Sequence, residues 1–142
     1  MRYLFLFLIL IVSFNVNAKE VDILRIIDIE SGFDEGAHNI SSGARGMCQI
    51  TPVVLRDFNE QMGTYLTLND LYNKDINFIV GKWYLSTRIP QILVKNKIIV
   101  NERNIVICYN WGVGNFIKWH RNSRNYHKLP ISVKNYLNKY FN

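Results

Sequence analysis

The sequence contains few of the residues that separate domains or cross-link small ones. It has three prolines and eight glycines in 142 residues, and no long Gly/Ser/Pro linker or internal repeat. One compact domain is therefore the simplest interpretation, at roughly 100–200 residues per domain. Its two cysteines, Cys48 and Cys108, allow one disulfide in an oxidising compartment or burial as small apolar side chains. The three histidines lack metal-ligand spacing, so we predict no metal and no cofactor.

The sequence also lacks a hydrophobic run long enough to cross a membrane. Its apolar stretch, Tyr3 to Phe14, is about twelve residues long, whereas a spanning helix needs about 20. The stretch follows the basic start Met1-Arg2 and precedes Val16-Asn17-Ala18, which suits a cleavage site. This layout is typical of a secretory signal peptide. We expect cleavage after Ala18 and a mature periplasmic domain of residues 19–142, with an uncleaved anchor as the alternative.

Acidic residues are scarce in the second half of the chain. Residues 19–87 carry 6 basic and 10 acidic side chains, whereas residues 88–142 carry 10 basic and 1 acidic. A basic region attracts polyanions through its long-range field. In an exported protein this favours cell wall or anionic membrane as a partner and argues against nucleic acid. A solvated basic surface without a partner is the alternative.

Helical periodicity dominates the sequence, and strand signals are weak throughout, so we predict a mainly α fold. Apolar residues recur at three- and four-residue spacing in residues 19–30, and Ser31-Gly32 is a suitable stop. Residues 33–46 are rich in turn-forming residues and are predicted to be a loop. Further helices are predicted from Thr51-Pro52 to Gly63, from Asn69 or Lys74 to a limit at Pro90, from Asn101 to Gly112, and from Pro130.

One carboxylate, Glu30, lies where its charged form is disfavoured. It ends the first predicted helix, and both the helix dipole and burial beside apolar groups such as Phe33 would raise its pKa. A raised pKa suits a general acid at neutral pH. Considered alone, however, this position is better explained by an exposed surface glutamate.

Several segments change that interpretation because they occur together and in order. Residues 30–33 resemble the segment E-S-x-F of lytic transglycosylases, and residues 43–52 resemble their segment G-A-x-G-L-M-Q-I-x-P. Residues 77–85 resemble the segment N-I-x-x-G-x-x-Y-L of the same family. Residues 109–112 resemble its segment A-Y-N-x-G, and residues 129–136 resemble its segment L-P-x-E-T-x-x-Y-V. The resemblance covers nearly the whole mature chain. The sequence is therefore identified as a member of the lytic transglycosylase and goose-type lysozyme superfamily.

This resemblance implies a small, lysozyme-like helical domain with a groove for the glycan strands of peptidoglycan. Glu30 matches the family's single catalytic acid, which protonates the oxygen between N-acetylmuramic acid and N-acetylglucosamine. It then acts as base on the muramic acid 6-hydroxyl, so that the product is a 1,6-anhydro sugar. Ordinary glycosidases use two carboxylates, and the sequence offers no clear second one. The weaker candidates are Asp28, Asp34, Glu35, Asp57 and Glu60.

The resemblance also implies roles for other residues. The predicted substrate-binding residues are Ser31, Gly46, Gln49, Tyr109 and Asn110. Cys48 and Cys108 replace the family's Met and Ala in two segments that flank the same groove. We therefore hypothesise that a Cys48–Cys108 disulfide joins these segments.

Three other functions stay open at the level of sequence. The chain could be a hydrolytic goose-type lysozyme, or a weakly active wall-binding subunit of an envelope-spanning secretion or conjugation machine. It could also be a basic peripheral membrane protein without glycan cleavage. Reaction products separate the first alternative from lytic transglycosylation, and substitution of Glu30 tests the other two.

Overall fold

The computed structural model describes residues 20–142, and this part of the chain is mainly helical, as predicted. The predicted signal peptide and its boundary with the domain lie outside the described residues. Within residues 20–142, no helix combines the length and apolar character needed to cross a bilayer. The elements are α1 (Ile23–Ser31), β1 (His38–Asn39), β2 (Ala44–Arg45), α2 (Pro52–Met62), α3 (Lys74–Trp83), α4 (Ile89–Lys95), α5 (Glu102–Trp111), α6 (Val113–Asn122) and α7 (Ile131–Phe141).

Helix ends lie close to the positions that the sequence predicts, because capping residues are present there. The side chains of Asp22, Thr51 and Asn101 accept hydrogen bonds from backbone N–H groups in the first turns of α1, α2 and α5. Each such cap contributes about 1 kcal/mol. Gly32 and Gly63 end α1 and α2 in the left-handed conformation, with φ of 62° and 66°.

Pro90 does not end a helix, contrary to the prediction. A π-helical turn over Tyr84–Arg88 joins α3 to α4, so the chain stays helical from Lys74 to Lys95. Pro90 lies in the first turn of α4, immediately after the π turn. The backbone N–H of Ile89 bonds to the carbonyl of Tyr84, five residues back. This wider turn accommodates a proline, which has no N–H to donate.

A hairpin and a further helix were also not predicted. Residues 38–45, expected to be loop, contain the short antiparallel hairpin β1–β2, in which His38 pairs with Arg45. Helix α6 follows α5 after the single residue Gly112, whose φ is 85°. The sequence predicts this glycine only as the end of a helix, whereas in the structure it also precedes the first residue of the next one.

Helix α1 lies between two hydrophobic clusters. Ile26 is buried in a cluster with residues of α4, α5, α6 and α7, including Phe116 and Leu137. The next residue, Ile27, is buried in a second cluster with residues from segment 48–58, Leu71 and α3. Because burial of such side chains drives folding, α1 is fixed from two sides. The last turn of α1 therefore has a well-defined position.

Candidate active site

Glu30 lies in the last turn of α1, half-buried, and contacts the last helix of the fold. The hydroxyl of Tyr136 in α7 donates a hydrogen bond of 2.7 Å to Glu30 Oε1. Burial raises the pKa of Glu30, and the hydrogen bond from Tyr136 opposes this only in part. The structure thus places Glu30 partly inside the protein, in an environment that raises its pKa.

The surroundings of Glu30 differ from the prediction in one respect. Phe33 is 50% exposed and has a positive φ of 66°, so it does not supply the burial that we expected from it. The nearby groups come from other elements. A Glu30 charge would raise the pKa of Tyr136, Tyr109 and Cys48, in each case adding to the larger effect of burial.

Ser31 connects α1 to segment 43–52. Its hydroxyl lies 2.9 Å from the carbonyl oxygen of Met47 and 3.4 Å from that of Ile27. A hydroxyl has one hydrogen to donate, and the shorter contact takes it. The sequence predicts that Ser31 binds substrate. In this arrangement its hydroxyl could only accept a hydrogen bond from that substrate.

Gly46 is buried and allows two backbones to approach each other. Its φ is 71°, and a Cβ atom there would overlap the side chain of Asn77 and the carbonyl of Leu71. Asn77 is fully buried and bonds to the backbone N–H of Cys48 at 2.8 Å and to the carbonyls of Arg45 and Leu71 at 2.9 Å. In the structure, Gly46 therefore serves packing, and Asn77 fixes the turn that precedes Gln49.

Gln49 has a left-handed backbone, with φ of 50°. This conformation is uncommon for a residue with a side chain, and strained residues of this kind cluster at functional sites. Its side-chain Nε2 donates a hydrogen bond of 2.9 Å to the carbonyl of Gly46. The amide oxygen of Gln49 is not used by this bond, and Gln49 lines an adjoining cavity.

A cavity of about 230 Å³ lies beside these residues. Tyr109 lines it, while its enclosed hydroxyl donates a hydrogen bond of 2.6 Å to the carbonyl of Cys48. Glu30 does not line this cavity. Its charge contributes to the raised pKa of Tyr109, so Tyr109 lies between the acid and the cavity. The lining residues are Gln49, Ile50, Thr51, Val54, Tyr84, Tyr109, Asn110, Trp111 and Gly112.

The cavity continues into a second one of about 350 Å³. Thr51, Val54, Tyr84 and Gly112 line both, so together they form a groove between the start of α2 and the α5–α6 junction. Most of the lining is apolar, which suits the flat faces of sugar rings. Among the tryptophans, Trp111 lines the groove.

The other carboxylates proposed from sequence differ from Glu30 in their environment. Asp28, Asp34, Glu35 and Glu60 are exposed. Asp57 lines the second cavity, but its Oδ2 is paired with Arg88 Nε at 2.6 Å. Within residues 20–142, none of these five groups shares the half-buried, hydroxyl-bonded setting of Glu30.

A larger cavity of about 750 Å³ lies along the outer side of α2 and the loop that follows it. Its lining includes Arg56, the weaker candidate Glu60 and the 96% exposed Tyr65, but neither Glu30 nor any predicted substrate-binding residue. Size alone therefore does not identify the site, which is marked by the position of its polar groups.

The structure does not contain the hypothesised Cys48–Cys108 disulfide, because both cysteines are free thiols. Cys48 is packed in the cluster that contains Ile27, whereas Cys108 is packed in the cluster that contains Ile26. Burial raises the pKa of Cys48 to about 12 and also raises that of Cys108. Both thiols therefore behave as small buried apolar groups, which was the alternative.

Sequence reasoning missed Tyr136 as a site residue. It matches the last family segment, yet the only tyrosine among the predicted site residues is Tyr109. In the structure, Tyr136 provides the hydrogen bond to Glu30, and Tyr109 bonds to the backbone instead.

Within residues 20–142, no group of three or more His, Cys, Asp or Glu side chains is arranged to hold a metal ion.

Comparison with known proteins agrees with the motifs. A family model described as "Transglycosylase SLT domain" matches residues 12–131. No curated protein and no solved structure matches the chain significantly. The match covers most of the chain and confirms the resemblance inferred from its motifs.

Proposed function

We propose that this chain, which belongs to the transglycosylase SLT domain family, is a lytic transglycosylase that cleaves the bond between N-acetylmuramic acid and N-acetylglucosamine. Family membership assigns a peptidoglycan transglycosylase-type function in general. The specific reaction is our proposal, and the observation that carries it is the position of Glu30, half-buried under the hydroxyl of Tyr136, where burial raises its pKa.

The reaction uses one carboxyl group twice. The Glu30 carboxyl donates its proton to the bridging oxygen, and the bond from that oxygen to C1 of the muramic acid breaks. The resulting carboxylate takes the proton of the muramic acid 6-hydroxyl, and the freed O6 bonds to C1. The products are a 1,6-anhydro end and a free 4-hydroxyl end. Glu30 regains its proton, and no water is consumed.

Tyr136 has a defined part in this cycle. Its hydroxyl donates to Oε1, which leaves the other carboxyl oxygen to carry the proton that is transferred. After transfer, the same hydrogen bond stabilises the carboxylate. We therefore assign Tyr136 as the residue that orients the acid and limits the rise of its pKa.

The groove supplies groups that suit a glycan strand. Gln49 and Asn110 present side-chain amides, and Asn110 is exposed with no hydrogen-bond partner for its side chain among residues 20–142. Tyr109 and Trp111 present aromatic faces at the same groove. We propose that these four residues bind the sugars next to the scissile bond.

Digestion of purified sacculi by the protein, followed by mass spectrometry of the fragments, tests the proposed reaction. We expect 1,6-anhydro ends. Glu30→Gln should lower the rate at least about 100-fold, the lower range for general acid–base catalysis. Asp28→Asn is the matched control, since it removes the same charge from an exposed position of the same helix. Reducing ends would instead identify a hydrolase, and unchanged activity in Glu30→Gln would refute the assignment of the acid.

We also propose that residues 1–18 direct export to the periplasm. The basic start, the short apolar stretch and Ala18 support this. Mass spectrometry of the protein recovered from the periplasm of an expression host should give a chain that begins at Lys19. A full-length product in the membrane fraction would identify an uncleaved anchor.

A further inference from the structure

We infer that the C-terminal end of α6 and its connection to α7 form a surface that binds an anionic lipid bilayer. We call this the α6–α7 basic surface. It consists of exposed or half-buried Lys and Arg side chains around one turn of the fold. Its members are Lys118, Arg121, Arg124, Lys128 and Lys134.

The positive charge of this surface is not compensated. No Asp or Glu follows Glu102 in the sequence, so none lies within α6, α7 or their connection. The ion pair found within residues 20–142 joins Arg88 to Asp57. Asp57 lines the groove, so this pair does not belong to the α6–α7 basic surface. Uncompensated cations concentrated on one surface attract an anionic partner.

The cations are held in place by neutral partners. Arg121 donates to the side-chain oxygen of Asn96 at 2.7 Å, and Lys134 donates to the carbonyl of His127 at 2.8 Å. Asn96 is flanked by the exposed Lys95 and Lys97, which extend the positive charge across the end of α4. These hydrogen bonds order the side chains without neutralising them.

Exposed apolar groups beside the cations favour a bilayer over a soluble polyanion. Ile131 is 70% exposed at the start of α7, and Tyr126 is 40% exposed in the connection. Aliphatic and aromatic side chains next to Lys and Arg are typical of surfaces that rest in the headgroup region. A soluble polyanion would gain nothing from Ile131.

The position of the surface leaves the groove accessible. Val113, at the start of α6, lines the groove, whereas Arg121 lies near the end of the same helix. At 1.5 Å per residue, the two lie roughly 12 Å apart along the axis. Binding at the far end would place the groove beside the membrane without covering it. This inference does not depend on the reaction that we propose for Glu30.

Sedimentation with large vesicles tests the inference. Residues 19–142 should bind phosphatidylcholine vesicles that contain phosphatidylglycerol, and should not bind vesicles of phosphatidylcholine alone. Binding should weaken as salt is added. Because each Lys or Arg near an anionic bilayer changes partitioning about fivefold, the triple variant R121Q/R124Q/K128Q should bind roughly 100-fold more weakly.

A charge-matched control separates the surface from net charge. The variant R56Q/K74Q/K82Q removes three exposed cations from α2 and α3, and it should retain most of the binding. Circular dichroism should show that both variants remain helical. Equal losses in the two variants would overturn the inference, and so would equal binding to neutral vesicles.

Ile131→Ser distinguishes a bilayer from a soluble polyanion. If the apolar side chain enters the headgroup region, this variant should bind anionic vesicles several-fold more weakly, although its charge is unchanged. Unaltered binding, together with capture by a soluble anionic polymer, would replace the bilayer with a polyanionic partner.

Discussion

Glu30 should destabilise the fold at neutral pH, because the carboxyl group is buried where its charge is unfavourable. Its pKa is raised above the ordinary value of 4.5, so the folded state holds the proton more tightly than the unfolded state. Stability is therefore lost as pH rises from about 4.5 through the folded-state pKa. We expect Glu30→Gln to gain stability relative to the native protein over this range.

Urea denaturation at pH 4 and pH 7 measures this effect. The difference in free energy of unfolding between Glu30→Gln and the native protein should favour the variant more at pH 7 than at pH 4. Asp28→Asn, at an exposed position of the same helix, is the matched control. A Glu30→Gln difference that does not change with pH would contradict the burial of this carboxyl.

Tyr136→Phe should move the pH profile of activity upward. The Tyr136 hydrogen bond lowers the pKa of Glu30, so its removal raises that pKa further. A general acid is lost as pH rises through its pKa, and the basic limb of kcat/KM should therefore shift to higher pH. Tyr140→Phe is the matched control, because its hydroxyl lies on the same helix but contacts Glu102 at 2.9 Å. A shift of equal size in both variants would argue against a specific role for Tyr136.

The sequence could identify Glu30 but not its hydrogen-bond partner. Glu30 begins a recognisable segment, and its neighbour Ser31 is local in the chain. Tyr136 is 106 residues away, and which of the three motif tyrosines reaches the acid depends on how α7 packs against α1. That packing is decided by tertiary contacts, which a residue pattern does not contain.

Helix α3 provides a stability test with an internal control. A Cβ atom at Gly81 would lie 2.7 Å from Cys48 Sγ, whereas one at Gly114 in α6 would meet nothing within 4 Å. Gly81→Ala should therefore destabilise by about 1–3 kcal/mol through overpacking. Gly114→Ala should stabilise by about 0.5–1 kcal/mol through helix propensity. Thermal denaturation measures both, and changes of the same sign would contradict the packing of Cys48 against α3.

The helices that could be predicted are those with local signals at their ends. Asp22, Thr51 and Asn101 cap their own helices, so their effect is contained in a few residues. The π turn before Pro90 and the restart of the helix after Gly112 depend on how neighbouring helices pack. A proline and a glycine ordinarily end helices, and tertiary packing overrides that preference at both places.

The two cysteines should stay reduced even in an oxidising compartment. Both are buried, and burial raises the pKa of each thiol, so little reactive thiolate forms in the folded protein. Thiol labelling of protein purified from the periplasm should find two free thiols after denaturation and almost none before it. The absence of free thiols after denaturation would restore the disulfide hypothesis.

The contact between Tyr136 and Glu30 joins residues that lie 106 positions apart in the chain. The two groups can meet only after synthesis has passed residue 136. The family match itself ends at residue 131, before that tyrosine. A chain truncated before residue 136 would keep Glu30 but lack the hydroxyl that bonds to it in the structure.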